Sequence, residues 1–211
     1  MAGFWRRNYR WLTHTGALAP LAWMLWLAAS GGLTVNPIQD LTLRTGKTAL
    51  VLLLGSLACS PANLLLGWKW ALKVRRTLGL YAFLYASLHV LIFVALDYGF
   101  DLGLILAAAV EKRFVWVGML AFTILLLLAA TSFDYWKVRL RKNWKRLHRL
   151  VYLAGGLVVV HYAWSVKADI RVPLLYGALL AVLLALRLPV VKRRILAWGF
   201  TKQGAWGGVR G

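Results

Sequence analysis

Four histidines are the side chains of this sequence whose type and spacing could support metal or redox chemistry: His14, His89, His148 and His161. Each lies within or beside a long apolar segment, where an ionisable side chain is expensive and is a functional candidate by default. His89 lies about 20 Å past Arg76 along a helix, and His161 lies about 20 Å past His148, at a rise of 1.5 Å per residue. The spacing therefore predicts that His89 and His161 lie at the same depth in two parallel helices.

Two neutral imidazoles at equal depth can bind one planar heme iron from opposite sides. Iron held in this way has no vacant position for oxygen, which suits it to electron transfer. We therefore predict that His89 and His161 are iron ligands. His148 falls at the basic end of its helix and on a different face from His161, so it could serve a second site. Hydrogen bonding between helices is the alternative for the pair, and an interfacial role is the alternative for His148 and the expectation for His14.

The elements that must position these histidines are apolar helices. Of the 211 residues, 61% are hydrophobic, whereas soluble domains contain about 45–50% apolar residues. Six segments approach the ~20 apolar residues that a membrane span needs, and they cover residues 16–33, 48–67, 78–97, 114–133, 150–167 and 172–190. Pro61 predicts an early stop or a kink in the second segment. We predict an all-α integral membrane protein, a six-helix transmembrane bundle that forms one domain over residues 1–211.

The charge distribution predicts an orientation. The sequence has 26 lysines and arginines against 6 acidic residues, a net charge of +20. Most of the positive residues fall in alternate connections, before residue 16, at 68–77, at 134–149 and from Arg187 onward. By the positive-inside rule, both termini lie in the cytoplasm. Because these charges are spread over short loops and are not gathered on one folded face, we expect the lipid bilayer, and no nucleic acid, as a partner.

Two segments of the sequence carry a specific resemblance. They read Leu-His-Arg-Leu-Val-Tyr at 147–152 and His-Tyr-Ala-Trp-Ser-Val-Lys at 161–167, and further matches fall at 16–20, 36–40, 44–50, 75–80 and 88–89. The chain resembles the heme-binding membrane subunits of the bacterial MsrPQ systems, which repair oxidised methionine in periplasmic proteins. It is similar, more distantly, to the transmembrane domain of ferric reductases and NADPH oxidases.

The resemblance implies b-type heme and a location in the bacterial inner membrane. It implies that electrons arrive from the quinone pool, or from a reduced flavin, and leave to a periplasmic molybdenum-cofactor subunit that reduces methionine sulfoxide. Members are also described as using FMN, which the resemblance does not place on named residues here. The chain would then be the electron-transfer subunit of an oxidoreductase complex and not its catalytic subunit.

One position departs from the wider superfamily, whose third helix typically carries two histidines that pair with two on the fifth. Arg75 stands where the partner of His148 is expected. Arginine is permanently cationic and a poor iron ligand, but it could bind a heme propionate through charge-assisted hydrogen bonds. One heme is expected at His89 and His161, and a second near His148 stays open.

Cations at the opposite end of the bundle could also meet heme propionates or an acidic docking patch. Arg44, Lys47, Lys167 and Arg171 are the candidates, and solvated loop charges are the alternative for each.

Other classes of protein are less compatible with the composition. The single cysteine, Cys59, excludes an internal disulfide and four-cysteine metal sites. A proton or metal transporter using the histidines as a relay would usually carry acidic residues within its spans, and the six acidic residues lie outside the span centres. A stand-alone ferric reductase would share the heme but would need no partner.

Overall fold

The computed structural model describes the backbone of residues 2–166, 169–195 and 197, and the side chains from residue 8 onward within these ranges. The described residues form helices and no strand. The helices are α1 (Ala2–Ser30), α2 (Pro37–Leu66), α3 (Lys69–Leu91), α4 (Leu102–Glu111), α5 (Arg113–Ala130), α6 (Asp134–Leu147), α7 (Leu150–Ser165), α8 (Arg171–Ala185) and α9 (Pro189–Ile195). A π-helical segment, Ile92–Asp97, continues α3.

Several of these helices have the length and apolar composition of membrane-spanning helices. Within the described residues, α2, the continuous Lys69–Asp97 helix and α5 are long and apolar enough to cross one. The pair α8 and α9 also qualifies if its 73° bend is counted within one span. At 1.5 Å per residue α7 is about 24 Å long, somewhat less than the ~30 Å hydrocarbon core. The protein is all-helical and multi-pass, and the count of six spans stays a prediction.

The second predicted span begins later than its helix, but the two end within one residue of each other. The helix begins at Pro37, because the Asn36 side chain accepts a hydrogen bond from the Gln39 N–H and proline suits the first helical position. Pro61 does not stop it: the helix runs on to Leu66 with Pro61 buried inside it. It ends at Gly67, whose φ of 67° is the left-handed conformation typical of a helix C-cap.

The helices α4, α6 and α9 were not expected from the sequence. The apolar helix α4 joins the π-helical end of α3 to α5. The basic helix α6 occupies a stretch that reads as a charged loop, and its path is broken at Arg141, which has a φ of 45°. Asp134 in its first turn and Lys145 and Arg146 in its last turn complement the helix dipole. The helix places Trp144 against Thr131 and His148, just before α7 begins.

The core lies where α2, α3, α5 and α7 meet. Its central cluster is formed by six buried apolar side chains: Leu53, Ala82, Ile124, Leu125, Leu128 and Ala154. Helix α8 packs against α2 through Leu180 and Leu183. Helix α1 packs on the outside of α3, where the fully buried Tyr85 donates a hydrogen bond to the Ala17 carbonyl at 2.7 Å. This arrangement places α3 and α7, which carry His89 and His161, in the same bundle.

Candidate metal centre

His89 on α3 and His161 on α7 meet inside the bundle. Their ring centroids are 6.0 Å apart and their planes are perpendicular, at 90°. Two metal–nitrogen bonds of about 2 Å and two imidazole radii of about 1 Å also place two opposed imidazole ligands about 6 Å apart across one metal. The observed separation therefore fits a single metal ion held between the two rings.

Hydrogen bonds fix which nitrogen of each ring is free. The Nδ1 of His89 lies 2.9 Å from the Thr42 carbonyl, and the Nδ1 of His161 lies 2.7 Å from the Phe114 carbonyl. A carbonyl only accepts, so each Nδ1 carries a proton, and in the neutral ring Nε2 then keeps its lone pair. Neither Nε2 has a hydrogen-bond partner within the described part of the chain. A backbone carbonyl behind Nδ1 is the usual support of a metal-binding histidine.

Two glycines allow the rings to approach these helices. Gly46 lies one turn after Thr42 on α2, and a Cβ there would be 3.1 Å from the Nδ1 of His89. Gly118 lies one turn after Phe114 on α5, and a Cβ there would be only 2.6 Å from the Nδ1 of His161. A side chain at position 118 would therefore displace the ring.

Each histidine is supported by a backbone carbonyl and a nearby glycine, and the two supports have the same spacing in the sequence. In each, the histidine follows its carbonyl partner by 47 residues, and a glycine lies four residues after that partner. The sequence shows no strong internal repeat, and neither glycine was predicted as a site residue. The shared spacing can be recognised in the sequence only after the structure has shown which carbonyl supports each histidine.

A cavity of ≈ 430 Å³ opens between α2, α3, α5 and α7. Both histidines line it, and Lys47 lies at its edge. Apart from these and a few small polar groups, its walls are apolar and aromatic, with Leu50, Leu53, Val90, Phe93, Val115 and Phe122 among them. The volume is in the range of ligand and cofactor sites. The donor set of two neutral imidazoles and the apolar walls fit a heme.

A second cavity of ≈ 290 Å³ lies toward the basic end of the bundle. Leu53 and Leu125 line both cavities, so these leucines lie between the two spaces. The second cavity is lined by a group of basic side chains: Arg75, Arg76, Lys137, His148 and Arg187. The structure thus brings His148 and Arg75 to one cavity and His89 and His161 to the other.

His148 is held differently from the other two histidines. Its ring stacks on Trp144, with centroids 4.0 Å apart. Its Nε2, the nitrogen that is free in His89 and His161, lies 3.2 Å from the Thr131 hydroxyl. Burial lowers the pKa of His148, against the opposing effect of its contact with Thr131, and the charges of Arg75 and Lys137 lower it further. The Nε2 of His148 is therefore engaged by Thr131.

Two arginines border the second cavity with their guanidinium groups. Arg75 donates from Nη1 to the Ser60 hydroxyl at 3.2 Å. Arg187 donates from Nη1 to the Tyr152 hydroxyl at 2.8 Å and from Nη2 to the Leu57 carbonyl. Its Nε is buried and has no hydrogen-bond partner among the residues that the structure describes. Sequence reasoning counted Arg187 only among the orienting charges, because nothing in its local sequence shows that the bend after α8 turns it inward.

The cations predicted at the end of the bundle opposite the basic loops make different contacts. Arg44 pairs with Asp40 at 2.7 Å. Lys47 lines the first cavity. The backbone N–H of Arg171 binds the Asp169 carboxylate at 2.9 Å. Lys167 lies outside the described residues. Of the three described cations, Lys47 is the one that lines the same cavity as the histidine pair.

The fold and the half-buried histidine pair indicate a class of membrane protein. Residues 42–159 match the family Ferric reductase like transmembrane component, which covers more than half of the chain. The matched region includes both supports, His89, His148 and most of the second cavity, and it ends two residues before His161. The chain is a ferric reductase-like protein with a role in membrane electron transfer.

Comparison with curated proteins narrows the class. The chain is similar to proteins named "Protein-methionine-sulfoxide reductase heme-binding subunit MsrQ" from several bacteria. It is 46% identical to that of Rhodospirillum rubrum, over 84% of this chain and 86% of the relative. It is 42% identical to that of Xanthomonas axonopodis pv. citri, over 83% and 84%, and 43% identical to that of Deinococcus radiodurans, over 88% and 93%. The chain belongs to the MsrQ family.

Proposed function

We propose that this protein holds a b-type heme between His89 and His161 and passes electrons through it across the membrane. The observation that carries the proposal is the arrangement of the pair. Two neutral rings lie 6.0 Å apart, and each has Nδ1 bonded to a backbone carbonyl and Nε2 free. A six-coordinate heme supplies one-electron transfer without an open position for oxygen. The relatives' printed name, heme-binding subunit, supports the same cofactor.

The proposed acceptor is a periplasmic methionine sulfoxide reductase subunit that contains a molybdenum cofactor. The relatives are named as subunits of a protein-methionine-sulfoxide reductase, which supports a partner that performs the reduction. The donor is quinol from the membrane pool or a reduced flavin. In this scheme the chain carries electrons, and the partner carries the catalytic site for oxidised methionine.

The proposed orientation has both termini in the cytoplasm of a bacterial cell and the chain in its inner membrane. The distribution of lysine and arginine supports it, because basic loops stay on the cytoplasmic side. The second cavity, with Arg75, Arg76 and Arg187, then faces the cytoplasm. The His89–His161 end lies nearer the periplasm, where the proposed acceptor is.

The second cavity is the proposed site for the anionic group of a second cofactor. Its basic side chains and the unpartnered Nε of Arg187 are suited to the phosphate of FMN or to the propionates of a second heme. The phosphate of FMN would bind these basic side chains without displacing His148 from Thr131. A second heme would require His148 to exchange its contact with Thr131 for iron, with Arg75 opposite, so the present geometry favours the flavin.

Heme content tests the central assignment. Full-length protein is purified in detergent from cells with ample heme, and its reduced-minus-oxidised visible spectrum is recorded. We expect a sharp low-spin b-type band in the wild type and its loss in His89→Ala and His161→Ala. His14→Ala is the matched control, since His14 lies outside both cavities, and it should keep the heme. Full heme content in either of the first two variants would contradict the assignment.

Electron delivery tests the partner. The reduced protein is mixed with the periplasmic reductase and a methionine sulfoxide substrate, and reoxidation of the heme is followed. We expect reoxidation only when both are present. Rapid reoxidation by a ferric chelate alone would instead indicate a stand-alone ferric reductase. A colourless protein that moves protons or metal ions would indicate a transporter.

A further inference from the structure

A histidine and a tyrosine form a hydrogen-bonded pair between α1 and α3, away from both cavities. The Nδ1 of His14 lies 2.8 Å from the Tyr81 hydroxyl, and the two rings meet edge to face with centroids 5.7 Å apart. His14 is exposed and Tyr81 is half-buried. We call these two residues the His14–Tyr81 pair.

The position of the pair within an apolar segment is energetically unfavourable, which indicates that the pair has a function. Tyr81 lies roughly 8 Å past Arg76 along α3, at 1.5 Å per residue, and so falls inside the apolar part of a helix that could span the membrane. At that depth, close to the basic end of the span, these two polar, ionisable side chains lie where lipid and interfacial water meet, with His14 exposed and Tyr81 half-buried. Such groups are rare in membranes and mark functional sites by default.

The surroundings of the pair are apolar. Leu18 lies one turn from His14 on α1, and Leu84 lies one turn from Tyr81 on α3. Both are exposed, at 42% and 39%. A ligand that reaches the pair therefore travels through lipid, has an apolar body and offers oxygen atoms to a phenol and an imidazole.

An aromatic row joins the pair to the proposed heme. Tyr81, Tyr85 and His89 lie one turn apart on the same face of α3. Tyr85 is completely buried between the other two, and its hydroxyl binds the Ala17 carbonyl and so ties α1 to α3 at this place. The distance along the helix from Tyr81 to His89 is about 12 Å at 1.5 Å per residue.

We propose that the His14–Tyr81 pair binds the head group of a quinol that enters from the bilayer. The inference rests on the proposed function, which supplies a heme at His89 as the electron acceptor. A quinol has an apolar tail and two ring oxygens that exchange hydrogen bonds with a phenol and an imidazole. Its oxidation to the quinone releases two electrons and two protons. The electrons pass one at a time to the heme, and the protons leave through the exposed His14 to water at the basic end.

Quinol-driven reduction of the heme tests the site in the full-length protein. Tyr81→Phe and His14→Gln each remove one hydrogen-bonding group, and Tyr135→Phe is the matched control, an exposed tyrosine on α6. Each protein is reduced by a short-chain ubiquinol in one experiment and by dithionite in another. We expect both test variants to slow reduction by ubiquinol about tenfold, the effect of one lost hydrogen bond to the ligand. Heme content and reduction by dithionite should equal those of the wild type and of Tyr135→Phe.

The outcomes separate this inference from the proposed function. If the wild type and both test variants are reduced by ubiquinol at equal rates, the pair does not bind the quinol, although the heme pathway stands. If ubiquinol fails to reduce a heme-loaded wild type, the quinol is not the donor and the inference is also wrong. If the variants lose heme or slow equally with dithionite, the pair is structural. A wild type without heme would instead overturn the proposed function.

Discussion

The support behind His161 makes the sharpest prediction about the heme site, because Gly118 leaves no space for a side chain. An alanine Cβ at this position would lie 2.6 Å from Nδ1 and 2.7 Å from Cε1 of His161. Since side chains pack at 3.4 Å or more, the ring would have to move by roughly 0.8 Å. Moving it away from α5 would stretch its 2.7 Å hydrogen bond to Phe114 to about the limit of such a bond.

The expected magnitude follows from these contacts. Overpacking typically costs about 1–3 kcal/mol, and the lost hydrogen bond adds about 1 kcal/mol. Loss of the partner behind a ligating histidine typically lowers metal affinity by about 10–100-fold. Gly118→Ala should therefore bind heme about 10–100-fold more weakly and show an altered low-spin band. Gly46→Ala should have a smaller effect, because a Cβ there would be 3.1 Å from His89.

The assay is heme per chain and the visible spectrum of each purified variant, with heme titrated into depleted protein. Gly156→Ala is the matched control: it lies on α7 like His161, and a Cβ there would meet nothing within 4 Å. It should bind heme as the wild type does. If Gly118→Ala keeps full heme affinity and an unchanged spectrum, the described support of His161 is wrong.

Three further variants test separate parts of the account. Arg187→Gln should lower the content of bound flavin or second cofactor about tenfold and leave the first heme in place, because it removes a charged hydrogen-bond donor from the second cavity. Equal flavin content in the wild type and in Arg187→Gln would refute this role of Arg187. Lys47→Ala should lower the reduction potential of the heme by on the order of tens of millivolts, because a nearby positive charge favours the reduced iron. Arg44→Ala is the control for this variant, since Arg44 pairs with Asp40. A potentiometric titration that finds equal shifts of the reduction potential in the two variants would contradict this role of Lys47. Tyr85→Phe should lower the free energy of unfolding by about 1 kcal/mol through its bond to Ala17, and unchanged thermal unfolding in detergent would show that this bond is not stabilising.

The histidine pair could be predicted from the sequence because helix geometry is regular. Equal spacing from basic residues placed His89 and His161 at one depth, and the structure brings them together. Their supports could not be predicted in the same way. Gly46 and Gly118 are typical of any close-packed membrane helix, and only the contact with another helix shows which glycine faces a histidine.

The surroundings of His148 show a different limit of sequence reasoning. The spacing correctly separated it from His161, and the structure places it in the second cavity with Arg75. Its stacking on Trp144 and its contact with Thr131 depend on α6, whose basic sequence reads as a loop. Arg187 was missed for a similar reason, since the bend between α8 and α9 directs it inward.

The most direct test of the central claim is the low-temperature electron paramagnetic resonance spectrum of the oxidised full-length protein. Two neutral imidazoles in perpendicular planes, as His89 and His161 are, should give a strongly anisotropic low-spin ferric signal. The signal should disappear in His161→Ala and persist in Gly156→Ala. A high-spin signal in the wild type, or a low-spin signal that survives the loss of His161, would contradict a heme held between these two histidines.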